Sequence, residues 1–154
     1  MKTVTTTTAE QTLALGERLG RAIVRQTSIA LTGDLGCGKT TLVQGLARGL
    51  GVDPSYYITS PTFNILNQYP ARDFQLCHLD LYRLGSTAEL AYIGFDDLLE
   101  TDSLIVVEWP DLLQEDGFHF DLEINFSFDG DYNRIISVFA SGQTGTKVLS
   151  NLFL

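Results

Sequence analysis

The sequence predicts an α/β fold, with helices layered on both faces of one mixed sheet, and three observations carry that prediction. A buried strand, a glycine-rich turn and an amphipathic helix follow one another without a break from Ser28 to Leu50. Two pairs of segments, 59–69 with 74–84 and 122–128 with 134–140, read as hairpins, which brings antiparallel neighbours into the sheet. "SLIVVEW", from Ser103 to Trp109, is a continuous apolar strand carrying an acid at its end. Strand, glycine loop and helix form the nucleotide-binding start of an α/β domain. The expected architecture is a three-layer fold of the P-loop nucleoside triphosphate hydrolase type with a mixed parallel and antiparallel sheet. The 154 residues suffice for one such domain, 1–154, with a single sizeable core.

The elements follow in order. After a "TTTT" run at Thr5–Thr8, a helical pattern places Leu15, Leu19, Ala22 and Ile23 on one face, with Thr8 and Gln11 spaced as a capping box at its start. "SIALTG" is a buried strand ending at Gly33. The next helix carries Leu42, Val43, Leu46, Ala47 and Leu50 on one side, and Gly51 is placed to stop it. "TSPTFNILNQY" and "FQLCHLDLYRL" read as strands around a turn near "PARD". Ser86 and Glu89 form a second capping box, opening a short helix through Tyr92. Leu122, Ile124, Phe126 and Phe128 alternate as in a half-exposed strand, "DGDYN" turns, and "RIISVFA" returns beside it. Residues 142–154 are expected to form a short helix.

Composition limits the functions. A net charge of −9 argues against a direct grip on nucleic acid, which requires a basic footprint. Two cysteines are too few for a disulfide framework, and Cys37, Cys77, His78 and His119 lack zinc-ligand spacing. The N-terminus has no apolar signal core, and no apolar run nears the ~20 residues of a membrane span. A reducing cytoplasm is the expected location.

"GDLGCGKT", Gly33–Thr40, satisfies G-x-x-x-x-G-K-[ST] in full, with the required strand before it and helix after it. Gly33, Gly36 and Gly38 allow the backbone to curl against phosphate oxygens, so that amide N–H groups and the helix N-terminus face the anion. Lys39 brings a positive charge to the β- and γ-phosphates, and Thr40 offers a hydroxyl to Mg²⁺. Such a loop needs a carboxylate for the metal or the attacking water. Asp80 and Glu108 both follow apolar runs, and Glu108 is the stronger candidate because Leu104–Val107 deliver it to a strand's carboxyl end. Thr62, in "TSPTF", reads either as part of an ordinary Ser-Pro-Thr turn or as a switch threonine that senses the γ-phosphate or touches Mg²⁺. Trp109, beside Glu108, is either a core or rim aromatic or a residue that responds to nucleotide or partner. His78 and His119 read as packing or surface residues. Cys37 reads as a small residue at a position suited to Ala. Lys39 and the helix N-terminus beside it should lower its pKa, giving a thiol that alkylates readily and that nucleotide shields.

Neither a guanine-reading N/T-K-x-D nor a D-x-x-G switch occurs, and beyond Arg48 the arginines Arg72, Arg83 and Arg134 form no lid-like cluster that would clamp a transferred phosphate. Hydrolysis of ATP coupled to a partner is what remains. Alternatives are a small-molecule phosphotransferase and a nucleotide-gated binding module without useful hydrolysis.

"GDLGCGKTT", "SPTF", "HLDLYRL", "IGFDDLL" and "VEWPD", in this order and spacing, resemble the bacterial TsaE family over about Thr8–Ser141. The resemblance implies a cytoplasmic P-loop ATPase that binds ATP or ADP with Mg²⁺. It implies work with TsaD and TsaB in threonylcarbamoylation of adenosine 37 of tRNA (the t6A modification), tRNA being met only through those partners and no membrane being involved. On this chain it implies that Asp34, Leu35, Gly36, Cys37, Gly38, Lys39, Thr40 and Thr41 hold the phosphates. Thr40 and Glu108 would meet Mg²⁺, Asp80 would support the metal or the water, and Thr62 would act in the switch. Trp109 would lie near the nucleotide or partner, and Ala9 or its neighbours with Arg134 would seat the adenine. Two departures stand out: Cys37 replaces the usual Ala, and "TTTTAEQ" is less acidic than in many relatives.

Overall fold

The computed structural model describes residues 1–154. Seven strands form one sheet in the order β1-β7-β6-β2-β5-β4-β3. Its centre is parallel: β2 (Thr27–Thr32) lies between β5 (Ser103–Glu108) and β6 (Leu122–Phe128), and β4 (Gln75–Asp80) runs parallel to β5. Its edges are antiparallel, where β3 (Leu66–Pro70) pairs β4, and β7 (Arg134–Ala140) pairs both β6 and β1 (Lys2–Thr6). Both expected hairpins form, and the sheet is mixed for the reason anticipated.

Helices α1 (Ala9–Ala22), α2 (Lys39–Leu50) and α5 (Gly142–Leu152) cover one face. A 3-10 helix (Thr87–Ile93) with the short helices α3 (Phe95–Leu99) and α4 (Asp111–Glu115) covers the other. Strand alternation sorts side chains between the two cores. Leu31, Leu76, Leu104 and Val106 face the α1–α2 layer, while Ala30, Cys77, Leu79, Ile105 and Val107 face the other. No helix is long and apolar enough to cross a membrane.

The Thr8 hydroxyl caps α1 by accepting from Gln11 N at 3.2 Å. The Gln11 side chain answers one residue earlier than a capping box would, accepting from Thr7 N at 2.7 Å. Glycines bring α1 and α2 into backbone contact: a Cβ on Gly45 would lie 2.1 Å from Leu13 O, and one on Gly16 2.3 Å from Leu42 O. Gly51 ends α2 in the left-handed conformation, as expected. The terminal helix α5 is tied to α1 by Arg18 Nη2, which donates to Leu152 O at 2.9 Å.

Four expectations change. The threonine-rich start is not a lead-in but edge strand β1, where β-branched residues suit pairing with β7. The segment from Thr59 to Ile65 is a turn, and β3 begins only at Leu66, because Pro61 cannot donate to a ladder. Likewise β4 stops at Asp80 instead of running on to Leu84. The helix after Ser86 is 3-10 and makes no side-chain cap bond, and α3 and α4 are too short to have announced themselves by periodicity.

Candidate functional site

A cleft of about 300 Å³ lies at the carboxyl ends of β2, β4 and β5, between the glycine loop and the turn 59–65. Leu35, Gly36, Gly38, Lys39, Thr40, Thr41, Thr62, Asp80, Glu108, Trp109 and Arg134 all line it, joined by Ser60 and Tyr82. This edge of the parallel strands is where α/β sheets collect ligands.

The loop wall is set by β2 on one side and α2 on the other. Gly33 has φ 142°, and a Cβ there would sit 2.7 Å from Phe126 Cβ and 2.8 Å from Cys37 Sγ. Gly38 has φ 110° and caps α2 without a side-chain bond, so the positive end of the α2 dipole opens toward the cleft. Lys39, the first residue of α2, is buried, and its Nζ donates to Gly33 O and, at 3.2 Å, to Asp34 O. That ammonium lies 5.5 Å from the Trp109 ring centroid, in cation–π range. Trp109 has φ 56°, an uncommon conformation for a bulky residue that turns the chain out of β5. Its ring lies 5.0 Å from that of Tyr82. The guanidinium of Arg134 closes the loop from β7, with Nε donating to Cys37 O at 3.0 Å.

The acidic wall comes from strand register. Asp80 and Glu108 are direct partners across β4 and β5, and both are buried. Ser60 Oγ lies 2.8 Å from Glu108 Oε2 and 3.1 Å from Asp80 Oδ2, although one hydroxyl has a single proton to give. Thr62 Oγ1 adds a donor 3.3 Å from Asp80 Oδ2. Tyr82 N donates to Asp80 Oδ1 at 3.0 Å. His78, fully buried two residues before Asp80 on the same sheet face, places Nε2 2.9 Å from Glu108 Oε2. Burial pushes the Glu108 pKa up, but hydrogen bonds and charge from His78, the Ser60 hydroxyl and the Lys39 ammonium together hold it below the ordinary carboxylate value.

The donor set fits Mg²⁺. Two carboxylates and the hydroxyls of Thr40, Ser60 and Thr62 are hard oxygen ligands gathered on one cleft, and a magnesium ion at phosphates needs only one or two protein carboxylates. Asp80 Oδ2 and Glu108 Oε2 both lie on the Ser60 hydroxyl, whose single proton serves one of them, and a cation would relieve that.

Three of the expected residues are not on the cleft lining. Ala9 opens α1 in an exposed position, Asp34 offers Lys39 its carbonyl, and Cys37 turns its side chain inward. Its reading as a small residue fits this place, but the expectation of an acidified, readily alkylated thiol is overturned. The residue is 1% exposed and belongs to the apolar core under the loop. Burial raises its thiol pKa, outweighing the opposing effect of Lys39, so it is neither acidified nor presented for alkylation. Ser60 and Tyr82 were not singled out from the sequence, and His78 was read only as a packing or surface residue. The period-2 alternation around Asp80 pointed to His78 and Tyr82, while Ser60 lay inside a turn read as a strand.

A strand, a phosphate-type glycine loop, a helix and facing acids on a mixed sheet define a protein of the P-loop nucleoside triphosphate hydrolase-like class. The Bacillus subtilis YdiB crystal structure superposes with a TM-score of 0.79 at 30% identity, over 99% of this chain and 93% of that one. Residues 6–136 match the family described as threonylcarbamoyl adenosine biosynthesis protein TsaE, and the chain belongs to that family. Relatives described as tRNA threonylcarbamoyladenosine biosynthesis protein TsaE include one from Haemophilus influenzae, 34% identical over 79% of this chain and 75% of its own. Another, from Borreliella burgdorferi, is 45% identical over 53% of this chain, and one from Synechocystis is 43% identical over 65%. Those two alignments span only 58% and 64% of the relatives' own lengths.

Proposed function

We propose that this protein binds ATP with Mg²⁺ in the cleft, hydrolyses it weakly alone, and works in the cytoplasm with TsaD and TsaB in t6A modification of tRNA. The observation that carries the reading is the opposition of Lys39 to the Asp80–Glu108 pair across one cleft. The loop amides and Lys39 would hold the β- and γ-phosphates. Thr40 and Glu108 would hold Mg²⁺, with Asp80 beside them, and the metal would neutralise charge developing on the transferred phosphoryl group. Glu108 or Asp80 would orient the attacking water, and Thr62 would follow the state of the γ-phosphate. Arg134 and Trp109 lie where they would border the nucleotide. Arg134, the arginine on the cleft lining, is engaged with the loop carbonyl of Cys37, which supports low turnover until a partner completes or orders the site. A net charge of −9 suits docking on a protein and not on tRNA itself.

The test is release of inorganic phosphate from γ-labelled ATP, with and without TsaD and TsaB. Stimulation by the pair is expected, with Lys39→Ala and Glu108→Ala both inactive. Label appearing on a metabolite would replace this reading with a phosphotransferase. Retention of t6A formation by Glu108→Ala, with loss in Lys39→Ala, would replace it with a nucleotide-gated module.

A further inference from the structure

His78 sits where the alternation of β4 calls for an apolar residue. Leu76, His78 and Asp80 share one sheet face, and their neighbours across β5 are Leu104, Val106 and Glu108. Leu76, Leu104 and Val106 belong to the α1–α2 core, and His78 is as fully buried as they are. A packing role alone would be met by leucine. An imidazole there carries a cost, because Nδ1 is buried with no hydrogen-bond partner. What the imidazole gains is at its other nitrogen, 2.9 Å from Glu108 Oε2. With a carboxylate at this position, Glu108 Oε2 accepts and the Nε2–H tautomer donates.

We propose that His78 is a positioning residue that fixes the Glu108 carboxylate toward the phosphate loop. The inference rests on the reading of the cleft as a magnesium–nucleotide site. Glu108 is the last residue of β5, followed at once by Trp109 in a left-handed conformation, so backbone pairing beyond it does not continue the strand. Its side chain is held by two donors, His78 from inside the core and Ser60 from the turn over the cleft. Ser60 also contacts Asp80 and rides on a segment outside the sheet, whereas His78 is embedded in a strand. His78 is therefore the anchor whose position is set by the sheet, and Ser60 the one set by the turn. Ligands that meet a reacting site commonly depend on such outer hydrogen bonds for their orientation.

Paired amide variants test this. Gln places its side-chain nitrogen near the Nε2 position, and Asn near Nδ1, so His78→Gln retains the bond to Glu108 and His78→Asn loses it. Both are polar and slightly smaller than His, so a residue that only fills space would respond alike to both. For His78→Asn we expect the magnesium concentration for half-maximal binding of a fluorescent ATP analogue to rise about 10-fold or more, and turnover to fall by a similar factor, the scale of one charged hydrogen bond. Binding of the nucleotide without magnesium should be unchanged. His78→Gln should stay within about 3-fold of wild type. In metal-free crystals the Glu108 side chain should shift in the Asn variant and not in the Gln variant. Adding Glu108→Gln should abolish the difference between them.

Equal behaviour of the Asn and Gln variants in these measurements, or a defect in the Asn variant that persists undiminished with Glu108→Gln, overturns the proposal. If the wild type binds nucleotide with magnesium but releases no phosphate, the hydrolysis reading fails while the magnesium titration still decides the role of His78. A wild type without magnesium-dependent nucleotide binding overturns both.

Discussion

The two walls of the cleft are built in opposite ways. The glycine loop is held from beneath, since α2 is pressed on α1 with glycine against backbone and Cys37 is anchored in the core. The turn from Thr59 to Ile65 lies outside the sheet; Ile65 O accepts from Asp80 N at 2.9 Å, Ser60 and Thr62 reach the acids, and Phe63 lies under the Arg83 guanidinium at 4.3 Å. Phe63 itself is 77% exposed. One wall thus takes its position from helix packing, and the other largely from hydrogen bonds, those of Ser60 and Thr62 being to the acids a magnesium ion would contact. A change at the acids is expected to move the turn and leave the loop in place. Under the proposed function, the difference would assign sensing to residues 59–65 and binding to residues 33–41.

The strongest way to break this contrast is to disturb each wall away from the cleft. Gly45→Ala puts a Cβ 2.1 Å from Leu13 O, between two helix backbones that have no rotamer to relax. Overpacking of this kind is expected to cost about 3 kcal/mol or more, lowering Tm by roughly 10 °C. Phe63→Ala on the turn should stay within about 0.5 kcal/mol, as surface substitutions do. Urea denaturation of the two variants measures both. Similar stabilities would mean that the loop wall is not braced through α2.

A smaller effect is expected at Ser60, which holds the turn to the acids. Removing its hydroxyl in Ser60→Ala leaves Asp80 and Glu108, adjacent and buried, without the donor they share. The metal-free protein should lose about 1–2 kcal/mol. Magnesium and ADP should recover most of that loss, because a cation then screens the pair. Thermal melts with and without the ligands check this, and a deficit unaffected by magnesium would show that the hydroxyl merely supports the fold.

The same contrast explains what the sequence revealed. The loop wall was legible because strand, glycines, Lys39 and helix are contiguous and their chemistry is local. The caps at Thr8 and Gly51 were readable for the same reason. The turn is hard to read because Thr59–Ile65 carries the mixed polar and apolar pattern of a strand, which only Pro61, unable to donate to a ladder, interrupts. Asp80 and Glu108 could be named separately, but their pairing follows from β4–β5 register. His78 and Ser60 gain meaning only from that register, as contacts between residues 30 and 48 apart in sequence with Glu108. The expectation of a reactive Cys37 thiol failed because neighbouring charge can be read from sequence, whereas burial beneath the loop cannot.

The mildest test concerns this cysteine and changes no residue. Cys37 and Cys77 are both buried, one beneath the loop wall and the other in the opposite core, and burial raises both thiol pKa values. If the loop wall is braced as firmly as the core, a small alkylating agent at pH 8 should reach the two at rates within about 3-fold of each other, since both would wait on the same opening. Both should react at least ~10-fold more slowly than in urea. Peptide mapping by mass spectrometry separates the two sites. Faster labelling of Cys37 would reveal a local opening of the loop confined to residues 33–38, and the division between a fixed wall and a responsive one would then have to be redrawn inside the glycine loop itself.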